Sequence, residues 1–351
     1  MTEAPVSKSQ PVGPQNSSPN GIQKFDASNL KHIGVFTSGG DAPGMNAAIR
    51  AVVRLGINNG YQVTGIVQGY AGMLNSELTP LGLSSMANVI QRGGTLLKTG
   101  RLPEFHQPEA RARAMQNIRA AGIDALVCIG GDGSFTGAHI LWQEHKFPII
   151  GIPATIDNDI AGTENTIGFD TAVNIALDAI DRIRDTAASH DRLFIVEVMG
   201  RDSGFIAVDV GVAGGAEEIF IPENPATVEQ ALERIRRGMA RGKRSSILVA
   251  AEGHKPGRAY DLAESIRKKS GFEAKVCILG HIQRGGSPTA IDRILASRFG
   301  AAAVEALGRG ECDAMVGLQG QNIVTVPFSQ VIGVKKRVSS DLVKLARMLS
   351  I

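Results

Sequence analysis

The sequence is poor in several features that would settle its class at once. Only three cysteines, Cys128, Cys277 and Cys312, occur in 351 residues, and none has metal-ligand spacing. Cys128 in "ALVCIGG" and Cys277 in "KVCILG" sit in apolar runs, where buried reduced thiols suit a reducing cytosol. The seven histidines are scattered without an H-x-x-x-H pair, so a metal-hydrolase pattern is missing. No G-x-S-x-G elbow supports a serine nucleophile. No apolar run is long enough to span a bilayer, and "MTEAPVSKSQPVGPQNSSPNG" has no apolar h-region of a secretory signal. Charge of one sign is not in excess: 37 basic and 34 acidic residues leave +3. A nucleic-acid protein would show a basic stripe, so any basic site here is local. Aromatics are 5%, against a β-sandwich.

Glycine, by contrast, is abundant at 42 residues, in an ordinary background of 43% hydrophobic and 20% charged residues. That suits an α/β fold with many tight loops, and the length is comfortable for two domains. The Pro-, Ser-, Gln- and Asn-rich start reads as a disordered tail, with order expected near Leu30. "HIGVFTSGG" is a short apolar run ending in glycines. Ala48, Val52 and Leu55 then recur at helical spacing in residues 44–60. "YQVTGIVQG", "DALVCIGGDGS" and "FPIIGIPATIDND" continue the alternation, which predicts a mostly parallel sheet covered by helices. A long amphipathic helix is predicted within 166–190, with Val173, Leu177 and Ile180 as its stripe. "RLFIVEVMG", "SSILVAAEG" and "KVCILGHIQRGG" read as strands of a second α/β unit.

The chemistry gathers at strand ends. "FTSGGD", "IGGDGS", "PATIDND", "EVMGRDSG", "VAAEG" and "LGHIQRGG" all place polar or glycine residues just past an apolar run. Ligands of open parallel sheets bind outside the carboxyl ends of the strands, so these loops predict one shared cleft. Gly39 and Gly40 let backbone amides approach an anion before a helix. Neither glycine loop is a Walker A loop, and "GGDGSFTG" lacks the third glycine of G-x-G-x-x-G. Asp132 stands where a phosphate would lie. An acid there repels phosphate unless a cation intervenes, and Mg²⁺ bridging phosphate oxygens is the natural one. A plain Gly-Asp-Gly turn is the alternative.

Asp157 and Asp159 in "TIDND" would share a face in extended chain. A carboxylate of ordinary pKa, about 3.9, can orient a sugar hydroxyl and take its proton during phosphoryl transfer. Thr155 can bond phosphate or substrate. An Asx turn with Asn158 and Asp159 capping the next helix would explain only part of this cluster. Arg101, Arg192, Arg201 and Arg284 are the guanidinium candidates for a phosphate, with His281 beside Arg284. Glu252 could hold sugar hydroxyls. Each also has a plainer reading: a solvated arginine, a core histidine or a helix-capping acid.

"GVFTSGGDAPGMNAAIRAVVR", "GGDGS", "TIDNDI", "EVMGRDSGF" and "ILGHIQRGGSPTAIDRILASR" together resemble the ATP-dependent 6-phosphofructokinase family of bacterial type. The resemblance runs from about residue 31 to 325, in family order. It implies transfer of the ATP γ-phosphoryl group to the 1-hydroxyl of fructose 6-phosphate, a committed step of glycolysis. Mg²⁺ and a cytoplasmic homotetramer are implied with it. The implied fold is two Rossmann-like three-layer α/β domains with mostly parallel sheets and the active site in the cleft between them. Residues 31–168 with 283–334 would bind ATP and Mg²⁺, residues 169–282 with 335–351 would bind fructose 6-phosphate, and 1–30 would be a disordered tail.

By motif position, the resemblance implies Asp157 as catalytic base and Asp132 as the Mg²⁺ acid. Thr155, Asp159, Arg101 and Arg201 are implied as further catalytic residues. Gly39, Arg101, Leu102, Gly131, Asp132, Gly133 and Ser134 are implied around ATP. Thr155, Asp157, Met199, Gly200, Arg201, Glu252, His281 and Arg284 match the sugar-phosphate contacts. Arg192 matches an arginine that reaches a neighbouring subunit's site, and Lys275 replaces a second such arginine, keeping the charge but losing the fork. Arg50, Arg54, Arg184, Glu217, Arg241 and Lys243 match the effector site for ADP or phosphoenolpyruvate between subunits, while Leu83 stands where another effector arginine is expected. Pyrophosphate-dependent relatives typically carry Gly-Gly-Asp-Asp and a lysine before "TIDND". Gly133 and Ala154 occupy those positions and favour ATP. The alternatives are a pyrophosphate-dependent enzyme and a silent regulatory subunit; the second should lack Asp132 or Asp157.

Overall fold

A computed structural model describes residues 21–190 and 192–349. The chain begins with β1 (Gln23–Lys24), β2 (His32–Thr37), α1 (Met45–Asn58), β3 (Gln62–Ile66), α2 (Tyr70–Asn75) and β4 (Leu78–Pro80). It continues through α3 (Pro108–Ala120), β5 (Ala125–Gly130), α4 (Asp132–His145) and β6 (Ile149–Pro153). The long α5 (Phe169–His190) leads to β7 (Leu193–Val198), α6 (Phe205–Ala213), β8 (Glu218–Phe220), α7 (Val228–Ala240), β9 (Ser246–Ala251), α8 (Arg258–Ser270) and β10 (Ala274–Ile278). Last come α9 (Ala290–Gly308), β11 (Glu311–Cys312), β12 (Ala314–Gln319), β13 (Asn322–Pro327) and α10 (Ser340–Leu349).

Two main sheets organise these elements, beside a two-stranded pair of β1 and β11. The larger has the order β13-β12-β6-β5-β2-β3-β4, parallel except for its two edge strands. The smaller, β10-β7-β9-β8, is parallel throughout. The central strands are buried along their length, as parallel strands covered on both faces must be. Successive residues of β2 point to opposite faces: Ile33 and Val35 pack with α1 and α9, Phe36 with α2, α3 and α4. The smaller sheet is flanked by α7 and α8 on one face, and α5 and α6 lie on the other. Each unit is therefore three layers deep. Through Ala172, Val173, Ala176 and Ile180 of α5, one core cluster runs from the large sheet into the small one. Full burial of side chains such as these is worth about 1.5–3 kcal/mol each for the larger ones. The buried Asp292 carboxylate pins the start of α5 to α9, accepting the N–H groups of Gly168 and Thr171, each at 2.8 Å.

Order begins before Leu30, contrary to the expected tail over 1–30. β1 pairs with β11, Phe25 N–H donates to Gly310 O at 2.9 Å, and Ile22 is buried. The polar composition of the segment hides its apolar anchors, Ile22 and Phe25, which pack on the core, and a strand edge that receives β1. The remainder of that tail, 1–20, lies outside the described residues.

Candidate active site

The carboxyl ends of β2, β5, β6 and β7 open onto one cavity of about 590 Å³. The turn after β2 brings Ser38, Gly39 and Gly40; β5 brings Gly131, Asp132, Gly133 and Ser134; β6 brings Ala154, Thr155, Asp157 and Asp159. Arg201 follows β7, and Arg101, Leu102 and Arg284 also line it, whereas Met199, Gly200, Glu252 and His281 do not. At Gly130 the backbone approach is so close that a Cβ would lie 2.6 Å from both Ser38 O and Ser134 Oγ. Only glycine lets the first two turns meet there.

Three local geometries differ from the sequence reading. Asp132, Gly133 and Ser134 are in the first turn of α4, not in a loop before it, with Gly131 as N-cap. Small residues and an N-terminal acid suit that turn. The "TIDND" segment is a turn rather than extended chain, since Asn158 is left-handed at φ 50°. Both Asp157 and Asp159 nevertheless face the cavity. Nor does Asn158 cap a helix. Its Oδ1 accepts Thr166 N–H at 3.0 Å and its Nδ2 donates to Glu164 O at 3.2 Å, which closes the loop on itself.

Asp157 is buried, and its Oδ1 has no hydrogen-bond partner. Burial pushes its carboxyl above the ordinary range; the Arg284 and Arg201 guanidiniums oppose this and the Glu252 charge adds to it. Asp159 keeps an exposed side chain, yet desolvation by its surroundings raises it as well, with the charges of Asp157 and Asp132 adding and Lys336 opposing. The Asp157 backbone is fixed from the second unit: Ser203 Oγ donates to Asp157 O at 2.9 Å. Thr155 Oγ1 accepts Asp157 N–H at 3.2 Å. Arg201 is itself left-handed, φ 50°, and its N–H donates to Glu252 Oε1 at 3.3 Å. A non-glycine residue in that region costs roughly 1–2 kcal/mol, and such strain concentrates at functional sites.

The remaining expected residues are placed as follows. Met199 N–H donates to Gln283 Oε1 at 2.8 Å, and Gly200 turns the chain at φ 132°. His281 is exposed in the turn after β10 and does not line the cavity. Arg192 and Lys275 stand at the amino ends of β7 and β10, where Phe194 is opposite Lys275. That is roughly 20 Å of strand from Met199, so within one chain neither reaches the cavity. Lys275 is exposed, 3.9 Å from Glu273. Among the effector candidates, Arg184, Glu217 and Lys243 gather beside β8. Arg184 donates to Gly214 O and Gly215 O, and Lys243 pairs with the buried Glu217. Arg241 is exposed at the end of α7. Arg50 and Arg54 are on α1, which packs on α9.

Three residues of one wall, Tyr70, Phe105 and Arg111, are not predicted from the sequence; the fourth, His106, stands where the resembled family usually has an arginine near ATP. Tyr70 stacks on Phe105 at 4.2 Å between ring centroids and donates from its hydroxyl to Ser134 O at 2.6 Å. Arg111 donates to Phe105 O and His106 O while gripping Glu144. All four cavity-lining residues of this wall, Tyr70, Phe105, His106 and Arg111, come from outside the glycine loops. For Tyr70 and Phe105 the only sequence signal was the aromatic character of "GYAGM" and "PEFH". Beneath Ser134, the buried Cys128 Sγ lies 3.9 Å from Ser134 O, and burial pushes its thiol far up.

Residues 32–307 match the family described as Phosphofructokinase. The chain belongs to the phosphofructokinase family. It is 56% identical over 322 residues to ATP-dependent 6-phosphofructokinase 1 of Thermus thermophilus, covering 92% of this chain and all of that protein. The structure of phosphofructokinase from Saccharomyces cerevisiae matches with a TM-score of 0.80 at 35% identity, over 85% of this chain but only 44% of the yeast chain. Pyrophosphate-dependent phosphofructokinase from Marinobacter aquaeolei matches with a TM-score of 0.79 at 25% identity, over 91% of both chains.

Proposed function

We propose that this chain transfers the γ-phosphoryl group of ATP to the 1-hydroxyl of D-fructose 6-phosphate. The observation that carries the reading is the buried, unpartnered Asp157 Oδ1 in the same cavity as Asp132 and Asp159. An acceptor without a donor, in a desolvated pocket, fits a substrate hydroxyl. Asp157 takes the proton of the 1-hydroxyl as its oxygen bonds to the γ-phosphorus and the bond from that phosphorus to the β,γ-bridging oxygen breaks, releasing ADP. Arg201 and Arg101 carry the donors for the transferring phosphoryl group, with Thr155 beside them, and Arg284 offers its guanidinium to the sugar phosphate. Gly39, Leu102 and the first turn of α4 receive the nucleotide, whose phosphates meet the free N–H groups of that turn. Met199, Gly200, Glu252 and His281 are assigned to the sugar phosphate by motif position, although none of them lines the cavity within one chain.

The donor set fits a magnesium nucleotide. Asp132, Asp157 and Asp159 bring carboxylates to one cavity, yet no cluster of three or more metal-type side chains among the described residues could hold an ion by itself. Mg²⁺ is ordinarily bound through one or two carboxylates plus substrate phosphates, and Asp132 is the residue assigned to it. When bound, the ion neutralises charge on the transferring phosphoryl group.

ATP is favoured over pyrophosphate by Gly133. A Cβ there would meet nothing within 4 Å, so the space is open to a nucleotide phosphate and would be filled by a carboxylate in its place. Ala154 leaves no cation for pyrophosphate. The presence of both Asp132 and Asp157 argues against a silent regulatory subunit. In this reading, residues 31–168 with 283–334 bind ATP and 169–282 with 335–351 bind the sugar phosphate. Arg192 and Lys275 serve a neighbouring subunit of a homotetramer. The Arg184, Glu217 and Lys243 cluster, with Arg50, Arg54 and Arg241, takes ADP or phosphoenolpyruvate.

One coupled assay tests the function. Wild type and Asp157→Ser are compared with ATP and with pyrophosphate. The expected result is turnover with ATP alone, reduced by about 10²–10⁴-fold in the variant. Turnover with pyrophosphate, or an active variant, overturns the reading.

A further inference from the structure

Past β13 the chain crosses from the large unit to the small one, and residues 333–336 pass directly behind the cavity's acidic loops. Gly333 N–H donates to Asp132 Oδ1 at 3.1 Å. Lys335 forms an antiparallel bridge with Ile160. Lys336 Nζ donates to Asn158 Oδ1 at 3.0 Å and to Glu164 O at 2.6 Å. The same ammonium lies 4.9 Å from the ring centre of Phe205, the first residue of α6. Asp159, Glu164 and Asp209 supply the negative charge around it. From there the chain enters α10, which packs on α6.

Asn158 is the left-handed corner between Asp157 and Asp159. Whatever holds its side chain sets where both carboxylates point. The short crossing strap touches that corner at one end and Asp132 at the other, so it spans the two acidic loops like a spacer. We infer that the strap 333–336 sets the separation of the Asp132 turn from the Asp157–Asp159 loop, with Lys336 as a positioning residue. Lys336 does not line the cavity and acts through Asn158. As applied to turnover, this rests on the proposed phosphoryl transfer.

Lys336→Met, Lys336→Arg and a single glycine inserted after the exposed Val334 test it. The insertion keeps every side chain and changes only the strap's length. Amide exchange is measured by mass spectrometry on peptides covering 155–166 and, as control, strand β7. Expected is exchange faster by roughly tenfold or more in 155–166 for Lys336→Met and for the insertion, with β7 unchanged. Lys336→Arg, which keeps the charge and donors, restores protection. In the assay, kcat falls by about 10²-fold, the scale of a small misplacement of reacting groups. KM for both substrates stays within roughly threefold. Unchanged exchange in 155–166, or equal loss of protection in β7, overturns the inference. So does a raised KM with unchanged kcat, or an Arg variant as impaired as the Met variant. A wild type inactive with ATP would sink the proposed function alone, since the exchange comparison still decides whether Lys336 holds the loop.

Discussion

Arg284 occupies the space that a side chain on Gly40 would need: its Nη1 lies 2.8 Å from the position of a Cβ there. The same nitrogen donates to Asp41 O at 3.3 Å. The first glycine turn and the arginine proposed for the sugar phosphate are thus fitted to each other. Gly40→Ala would displace the guanidinium, the movable end of a long side chain, and leave the backbone in place. Expected is a Tm near wild type with kcat/KM lowered by roughly 10–100-fold, the value of one charge-assisted hydrogen bond. A thermal melt beside the coupled assay checks both halves.

Asp157 is expected to trade stability for chemistry. Its folded-state pKa is raised by burial, so the ionised form is disfavoured by folding. Asp157→Asn removes that charge while keeping the shape. The melting temperature at pH 7 should equal or exceed that of wild type while kcat collapses. A clear drop in Tm would show that the carboxylate stabilises the fold.

The same shift sets a pH dependence. A raised folded pKa favours the protonated form in the native state. The group's contribution to stability is therefore full below the unfolded value near 3.8 and is lost as pH rises through the higher folded value. Activity runs the other way, because the base must be ionised. The acid limb of kcat/KM should lie above the ordinary Asp range, and Arg284→Met should move it higher still, since that guanidinium holds the pKa down. A limb that moves down in the variant would contradict the assignment.

Gly133→Asp should fold normally. The position is in the first turn of α4, its Cβ would have open space, and an acid there suits the helix N-terminus. Turnover with ATP should fall by about 10²-fold or more, as repulsion of a nucleotide phosphate in a water-poor site is worth several kcal/mol. Isothermal titration of ADP into the variant, with and without Mg²⁺, measures the loss directly.

Ile22→Ala should lower stability by about 2 kcal/mol or more, as truncation of a buried isoleucine does. The measured quantity is the denaturant midpoint at constant m.

Much of the fold was legible because its central strands are fully buried. Runs such as "ALVCIG" have no polar position to blur them, and the residues that follow must then be the strand ends. That is why Gly39, Asp132, Asp157 and Arg201 could all be placed around one cleft. What stayed hidden depends on partners far away in sequence. Lys336 meets Asn158 across 178 residues, and no local pattern announces that contact. Tyr70 meets Ser134 across 64. The sequence leaves "TIDND" open between extended chain and an Asx turn, because alternating acids look alike in both; the left-handed corner at Asn158 makes it a turn. β1 leaves no periodic signal because it is only two residues, Gln23 and Lys24, between the core-packed Ile22 and Phe25. Arg192 and Lys275 are assigned by motif position alone, and strand length puts both beyond the cavity of their own chain.

The burial of Cys128 beneath Ser134 has a practical corollary. With its sulfur shut in and its proton held tightly, this cysteine offers no thiolate to an alkylating reagent while the fold is intact. Cys312 is sealed in the same manner, its thiol pushed up by burial. Labelling at these two sulfurs, as distinct from the half-buried Cys277, would therefore count unfolding events.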